Sequence, residues 1–474
     1  MTETMRQHRA TEPLVLEPDR LFPEGEQSRA IARELYAEVA DAPIISPHGH
    51  VDPRLLLDDE AFPDPVELLL TQDHYVTRLL HASGVPHSEI YGERLDPRRA
   101  WRTFCEHWDA FQGTASSYWL RHELGELFDI GEEPSADSAD RLYEHIQQRL
   151  AEPGFRPRAL FDRFRIDVLA TTDDPLDDLA AHDAIRTSGA VAGRVVPTFR
   201  PDAYIDPSAP GFAARVARLV AATGGAADDY RAYLEALRAR RAYFVQHGAV
   251  SVDHGVRSMT TLDLPHDEAA ELYRRAVAGT ASGAESAAFI ANMLTVMAGM
   301  SVDDGLVMTV HPGVHRNHDR SAFDAYGPDT GHDIPIATEY TRSLAPLLNR
   351  YGNVDDFHLV LFTIDETSFS REIAPLAGYY SSVFIGAPWW FIDAPDAVQR
   401  FRAATTETAG LTRSSGFIDD TRAFLSIPAR HDMSRRSDAA FLARLVVEGR
   451  VPLTAARRLI TRITCDQPRE VFKL

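Results

Sequence analysis

The sequence predicts the α/β class, and within it a TIM-like (β/α)8 barrel with a helical insertion after the first strand. Three observations point there. Short apolar runs, each closing on a polar or turn residue, recur eight times along the chain. Segments with helical spacing alternate with them, which implies parallel βαβ units. The residues that follow the runs are types that enzymes use, placed at the strand ends where a barrel keeps its active site.

The eight runs cover residues 42–46, 166–171, 194–198, 249–252, 306–310, 358–362, 382–385 and 416–418. Helical spacing occupies 175–188, 265–278, 337–351 and 394–409 between them, and 435–448 after the last. Eight such units close into a barrel more readily than they spread into an open sheet. The first interval, 50–165, is too long for one crossover helix. It holds helical stretches at 97–111 and 117–128, where Leu120, Leu124 and Leu127 recur at helical spacing. It reads as a helical insertion, 51–165, capping the site. A second long interval, 202–246, reads as a helical pair. One barrel domain, 1–474, accommodates all of this without a second independent unit. There is no fixed repeat and no low-complexity tract beyond short Ala-rich helices.

Composition narrows the function classes. With 44% hydrophobic and 25% charged residues the chain is an ordinary globular protein with material for a large core. Its formal charge of -21 argues against a nucleic-acid partner, which needs clustered Lys and Arg. An anionic substrate would need locally placed arginines to offset that field. The two cysteines, Cys105 and Cys465, lack metal-ligand spacing and suit a reduced, cytoplasmic setting. The first residues, MTETMRQHRATEP, contain no apolar h-region, and no run of 18 apolar residues occurs. Neither export nor a membrane partner is expected.

The strand ends carry the chemistry. The first run closes on His48-Gly49-His50, the second on Thr171-Thr172-Asp173-Asp174, the third on Thr198-Phe199-Arg200 and the fourth on Asp253-His254. The fifth closes on His311, with Arg316 and Asn317 just beyond, and the eighth on Asp419-Asp420-Thr421-Arg422. In an extended chain the two imidazoles of an HxH project to the same side, so both can face one ion. Two imidazoles with a carboxylate suit zinc or a similar divalent metal and leave positions open for water or substrate. On its own an HxH also fits two surface or core histidines. Asp420 ends the last strand, the neighbour of the first in a closed barrel, so its carboxylate can reach that metal and also take a proton from substrate. A helix N-cap is the other use of an Asp there. Asp419 points the other way if the strand is regular. Arg200 and Arg422 stand at strand exits and suit bidentate capture of a carboxylate or a structural ion pair. Trp389 and Trp390, in GAPWWF, fit a sugar-stacking wall or core packing.

Taken together, the chain resembles the uronate isomerase (glucuronate isomerase) family of the amidohydrolase superfamily, over nearly its whole length. The blocks that carry the likeness are PHGH (47–50), DHYVTRLLHASGV (73–85), ATTDDP (170–175), VVPTFRPD (195–202), VDHG (252–255), VHPGVHRN (310–317), GAPWWF (386–391) and DDTRAFLSIPARHDMSRR (419–436). The resemblance implies a barrel of amidohydrolase type with His48, His50 and Asp420 as metal ligands. It implies Tyr75, beside His74, as a proton donor, and Arg422 with Arg200 as contacts to the uronate. Asp253, His254 and His311 match the family's strand-four turn and strand-five histidine. Arg316, Trp389 and Trp390 fall in matching blocks and are taken with His74 as substrate-binding residues.

The implied reaction is aldose–ketose isomerisation, D-glucuronate to D-fructuronate and D-galacturonate to D-tagaturonate, by proton transfer from C2 to C1. The implied cofactor is a divalent metal, Zn2+ first with Mn2+ as the alternative, and no organic cofactor. Three stretches depart from the family pattern: FTIDETSFSREI (362–373) lacks an Asn-Pro-type sequence, DMSRR (432–436) replaces a more aromatic version, and SPHGH replaces Asp-Phe-His-Cys-His. The competing reading is a metal-dependent hydrolase acting on a sugar-acid lactone. Such enzymes usually add a bridging Lys or further His ligands at strands four to six; His254 and His311 could supply the latter, but no Lys follows the fourth strand, which favours the isomerase. A non-catalytic sugar-acid binder would have lost the HxH or the last Asp. Barrels of this kind are commonly homo-oligomers, though no stretch here specifies an interface.

Overall fold

Both faces of a barrel strand are covered, one by the packed interior and one by helices, so its residues are apolar in unbroken runs. The computed structural model describes residues 12–92 and 95–474 and realises those runs as short strands. They are β1 (Ile44–Ser46), β2 (Ile166–Ala170), β3 (Arg194–Val196), β4 (Thr198–Phe199), β5 (Ser251–His254), β6 (Val307–Val310), β7 (Val314–His315), β8 (Ile334–Pro335), β9 (Leu359–Leu361) and β10 (Val383–Ile385). Strands β1, β2 and β3 form one parallel sheet, and β4, β5, β6, β9 and β10 another. β3 and β4 are two halves of one stave broken at Pro197, which has no N–H to give a ladder. A parallel bridge from Asp173 to Phe199 joins the sheets, and the Arg200 N–H donates to Asp173 O at 3.1 Å.

The eighth stave is weaker than the sequence predicts. Residues 416–418 form no regular strand; Ser414 bridges Ile385 in parallel and the Ser415 N–H donates to Ile385 O at 2.8 Å. Gly416 lies at φ +79°, tight against Pro468, and Asp420 is left-handed at φ 42°, so the backbone cannot hold an extended ladder there. The ring closes nonetheless: the His50 N–H donates to Thr421 O at 3.0 Å.

Several helices differ from their predicted bounds for local reasons. The one predicted over 175–188 begins only at Ala180, because Asp174, Asp177 and Asp178 fold back on the amides of Leu176, Leu179 and Ala180. That predicted over 337–351 is Ala345–Tyr351, since Glu339 holds the amides of Arg342 and Ser343 in a turn. The final one is Ser426–Val447, starting nine residues earlier than expected. The interval 202–246 holds three helices rather than two: Asp202–Ile205, Phe212–Ala221 and Tyr230–Gln246. An additional helix, Gly283–Asp304, precedes β6; it is long and apolar enough to cross a membrane, yet ten of its residues are buried in the protein core.

Within 51–165 the described chain is helical. His74–Ala82, Pro97–Glu106, Ala115–His122 with the π turn Glu123–Leu127, and Ala139–Leu150 pack around Trp101, Phe104, Phe111 and Phe128. Leu120, Leu124 and Leu127 are buried in that cluster, which continues into Ile166 and Leu169 of β2 and Phe424 and Leu425 after the last stave. Between β6 and β9 the chain makes an excursion in which β7 and β8 pair antiparallel and the helix Arg320–Tyr326 spans them. These two segments, with the strand ends, wall the site.

Candidate active site

A cavity of about 460 Å³ opens at the C-terminal ends of the strands. His50, His74, Tyr75, Arg200, Arg316, Trp389, Trp390, Asp420 and Arg422 line it, so the structure brings these sequence-predicted residues to one place. His48, Asp253 and His311 lie in a buried network next to it. His254 does not join them. It follows Asp253 on β5 and projects to the other side; its Nδ1 lies 3.1 Å from Thr309 O and the side chain is fully buried.

β1 delivers His48 and His50, and the left-handed turn at Asp420 swings its carboxylate back toward them. Asp420 Oδ1 is 3.3 Å from His48 Nε2 and 3.0 Å from His50 Nε2. Asp419 points away and accepts from His431 Nε2 at 3.1 Å. The ligand atoms of His48, His50 and Asp420 lie within 4.8 Å of one another, and Asp420 Oδ1 is otherwise buried without a hydrogen-bond partner. Two imidazole nitrogens and a carboxylate oxygen on one point are the donor set of a divalent metal, so these residues fit one. Burial works to raise the Asp420 carboxyl, but His48 and His50 overcome it and hold it well below the usual carboxylate range. Burial lowers His50 to about 4 against the pull of Asp420. Burial works to lower His48 as well, but Asp253 and Asp420 raise it above the ordinary imidazole value.

A second buried group, His48, Asp253 and His311, shares the first imidazole. Asp253 Oδ1 accepts from His311 Nδ1 and from Thr309 Oγ1, both at 2.7 Å, and its Oδ2 is 3.3 Å from Arg200 Nη1. The His311 ring is thereby fixed, stacked on His48 at 4.7 Å between ring centres and on Phe362 at 3.9 Å. Arg200 also donates to Asp202 Oδ2 at 2.8 Å. A Cβ at Gly255 would stand 2.5 Å from Arg200 Nη2 and 3.0 Å from Asp202 Oδ2, so the glycine of VDHG makes room for that pair.

Elsewhere on the cavity wall, Asp73 caps the helix His74–Ala82 by accepting from the Tyr75 N–H at 2.9 Å. That cap sets Tyr75 at the cavity wall, stacked on His74 and edge-on to Trp119. Burial pushes the Tyr75 phenol up, with Arg430 working the other way, and lowers His74 to about 3. Tyr75 is therefore protonated and His74 neutral. Trp389 and Trp390 are packed into the core, 6% and 8% exposed, and they also line the cavity. Arg316 lies 5.0 Å over the Trp390 ring.

Sequence reasoning missed several cavity residues. Asp202, Asp329 and Asp333 pair with the cavity arginines, and Arg430 stands behind Tyr75, 5.1 Å from its ring centre. The two-residue step from Arg200 to Asp202 in RPD was an available signal for one of them. Of the departures from the family pattern, SPHGH supplies His50 to the cavity, whereas none of 362–373 or 432–436 lines it, though Phe362 stacks on His311 beside it. Asp432 instead takes Tyr118 and Arg20 as partners, at 2.6 and 2.8 Å.

Fold and site together define a (β/α)8-barrel enzyme with a divalent-metal donor set at its catalytic end. The comparisons with known proteins make the class specific. Residues 26–472 match the glucuronate isomerase family profile. The chain is 51% identical over 461 residues to the uronate isomerase of Corynebacterium efficiens, covering 96% of this chain and 98% of that one. It is similar to the crystal structure of glucuronate isomerase from Caulobacter crescentus, with a TM-score of 0.95, 46% identity and 98% of each chain covered. The uronate isomerase of Thermotoga maritima superposes with a TM-score of 0.91 at 26% identity, over 97% of this chain and 99% of that one. The chain belongs to the glucuronate isomerase family and is an isomerase.

Proposed function

We propose that this protein interconverts hexuronates, D-glucuronate with D-fructuronate and D-galacturonate with D-tagaturonate. The observation that carries the reading is the presence of two groups on the wall of one cavity: a carboxylate kept ionised by His48 and His50, and a phenol kept protonated by burial. Aldose–ketose exchange needs that pairing, a base at C2 and an acid that returns a proton toward C1 through an enediol.

In this reading His48, His50 and Asp420 would hold a divalent cation, with zinc expected first and manganese as the alternative. When bound, such an ion supplies Lewis-acid polarisation of the sugar oxygens. Asp420 takes the proton from C2. Tyr75 donates toward C1, the proton held by Asp420 restores the phenol, and the O2 hydroxyl proton passes to O1, so hydrogen has moved from C2 to C1 and from O2 to O1 and no external reductant is consumed. Arg200, Arg316 and Arg422 supply the guanidinium groups that an anionic sugar requires in a chain whose net charge is -21. His311, fixed by Asp253, orders His48 from behind. His74, Trp389 and Trp390 form the wall on which the sugar lies.

We take 1–474 as one barrel domain, with the helices of 51–165 inserted after its first strand to carry Tyr75 over the site. Its free thiols, Cys105 and Cys465, suit the cytoplasm, and a homo-oligomer is the expected assembly.

The test is ketose formation from D-glucuronate and from D-galacturonate, before and after chelation and with zinc or manganese restored. Turnover that falls on chelation and returns with metal supports the reading. Turnover of neither uronate under any metal condition would sink it.

A further inference from the structure

The arginines that face the cavity all have carboxylate partners, but one of those partners is unlike the others. Arg200 is held by Asp202 and Asp253, and the buried Asp333 bonds Arg316 at 3.0 Å. Asp329 instead touches two guanidiniums. Its Oδ2 lies 2.9 Å from Arg422 Nη1 and its Oδ1 3.9 Å from Arg316 Nη1. Both arginines keep much of their surface free, 40% for Arg422 and 45% for Arg316, and all three residues line the cavity. Asp329 is carried on the excursion between β7 and β8, not on the barrel. Its own backbone is left-handed at φ 63°, and it stands between Gly327 and Gly331, at φ 82° and 92°. It is thus a carboxylate on a short arc with glycines at both ends, laid across two cations on the wall of a substrate cavity.

Resting on the hexuronate reading above, we propose that Asp329 is a displaceable internal carboxylate that sets anion selectivity. It neutralises Arg422 and Arg316 in the arrangement seen here, and the carboxylate of the incoming sugar acid exchanges with it on the same guanidiniums. Exchange replaces one ion pair by another, so charge alone gains little. A simple anion is therefore bound weakly, and a sugar acid binds through its additional polar contacts with the rest of the wall. A neutral sugar cannot make the exchange. Without Asp329, Arg422 would stand unpaired beside Arg316, which Asp333 still holds, and would attract any small anion.

The experiment compares the metal-replete protein with its Asp329→Asn variant by calorimetric titration. Asn tolerates positive φ, so the backbone is kept while the charge is removed. The probes are D-glucarate, which has carboxylates at both ends and no aldehyde to isomerise, and D-glucitol, its neutral counterpart. Loss of Asp329 should tighten glucarate by about threefold or more, the scale of a partly screened ion pair, and leave glucitol unchanged. Asp329→Gly, which relieves the backbone and also removes the charge, should tighten glucarate to a similar extent. Glucarate binding that is unchanged, weakened or undetectable in both proteins overturns the proposal, as does a parallel tightening of glucitol. Turnover of the two uronates by the wild type is read separately. A wild type that isomerises neither defeats the functional reading, whereas an active wild type with no tightening in the variants defeats this inference alone.

Discussion

Replacing Arg430 with Met removes a charge from the deepest part of the site while keeping most of the side chain's bulk. Arg430 is 1% exposed. It donates to Asp393 Oδ2 at 2.8 Å and to Ser426 Oγ at 3.0 Å, and it lies 3.6 Å over the Trp119 ring. Without it, Asp393 stays buried with no cation beside it, and its Oδ1 already lacks a partner. Removing one member of a buried pair costs about 3 to 5 kcal/mol. The unfolding entropy of a chain this long is roughly 1 kcal/mol per degree, so Tm should fall by about 3 to 5 °C. The loss should depend on pH. Burial pushes the Asp393 carboxyl up to about 7, with Arg430 pulling it down. A carboxyl whose folded value is raised contributes stability that is complete below its unfolded value, about 3.9, and is lost as pH rises through the folded value. Removing Arg430 raises the folded value further, so the penalty is small at pH 5, has begun to grow at pH 8 and is full only above the raised value. Circular-dichroism melts at the two pH values measure it. A variant that loses as much at pH 5 as at pH 8, or nothing at either, would refute the assignment of Arg430 as the counter-charge.

Three more outcomes are expected. Tyr75→Phe keeps the ring contacts to His74 and Trp119, so steady-state kinetics should show kcat lowered by about 10²- to 10⁴-fold with KM little changed. Asp420→Asn should lower bound divalent metal, measured by mass spectrometry of the purified protein, together with activity; full metal content with full turnover would separate this residue from both roles. Gly331→Ala would set a Cβ 2.8 Å from Arg78 Cβ and 3.1 Å from its Cα at φ +92°. It should unseat the loop from the helix His74–Ala82 and raise KM several-fold, by about 1 to 3 kcal/mol of strain, with the far-ultraviolet spectrum unaltered.

What could be read in the sequence follows from what each element buries. Strands such as β9 and β10 are apolar throughout because both faces are covered, so an apolar run marks them and the polar residue after the run marks the site. His48, His50, Arg200 and Asp420 were legible for that reason. The eighth stave was legible as a run but not in its shape, because the positive φ at Asp420, a non-glycine residue, leaves no mark in the local sequence. The helix Ser426–Val447 was half hidden. Its first half buries Arg430, His431, Asp432 and Arg436, with partners on other elements, so hydrophobic periodicity begins only where that network ends. Tyr75, Asp329 and Asp333 sit on excursions whose course over the barrel mouth no local pattern records. Tyr75 was assigned from the family resemblance alone.

The hydrogen bond from the His50 N–H to Thr421 O is the seam of the ring, and the donor set straddles it. His48 and His50 come from the first stave and Asp420 from the last, so the three cannot converge until the last stave has docked. A partly folded or shortened chain would keep two imidazoles without the carboxylate and would hold an ion poorly. Metal affinity would therefore report the completion of the barrel as well as the readiness of the site. An ion bound there would draw the seam shut by mass action, so heating should open the metal-loaded ring elsewhere first.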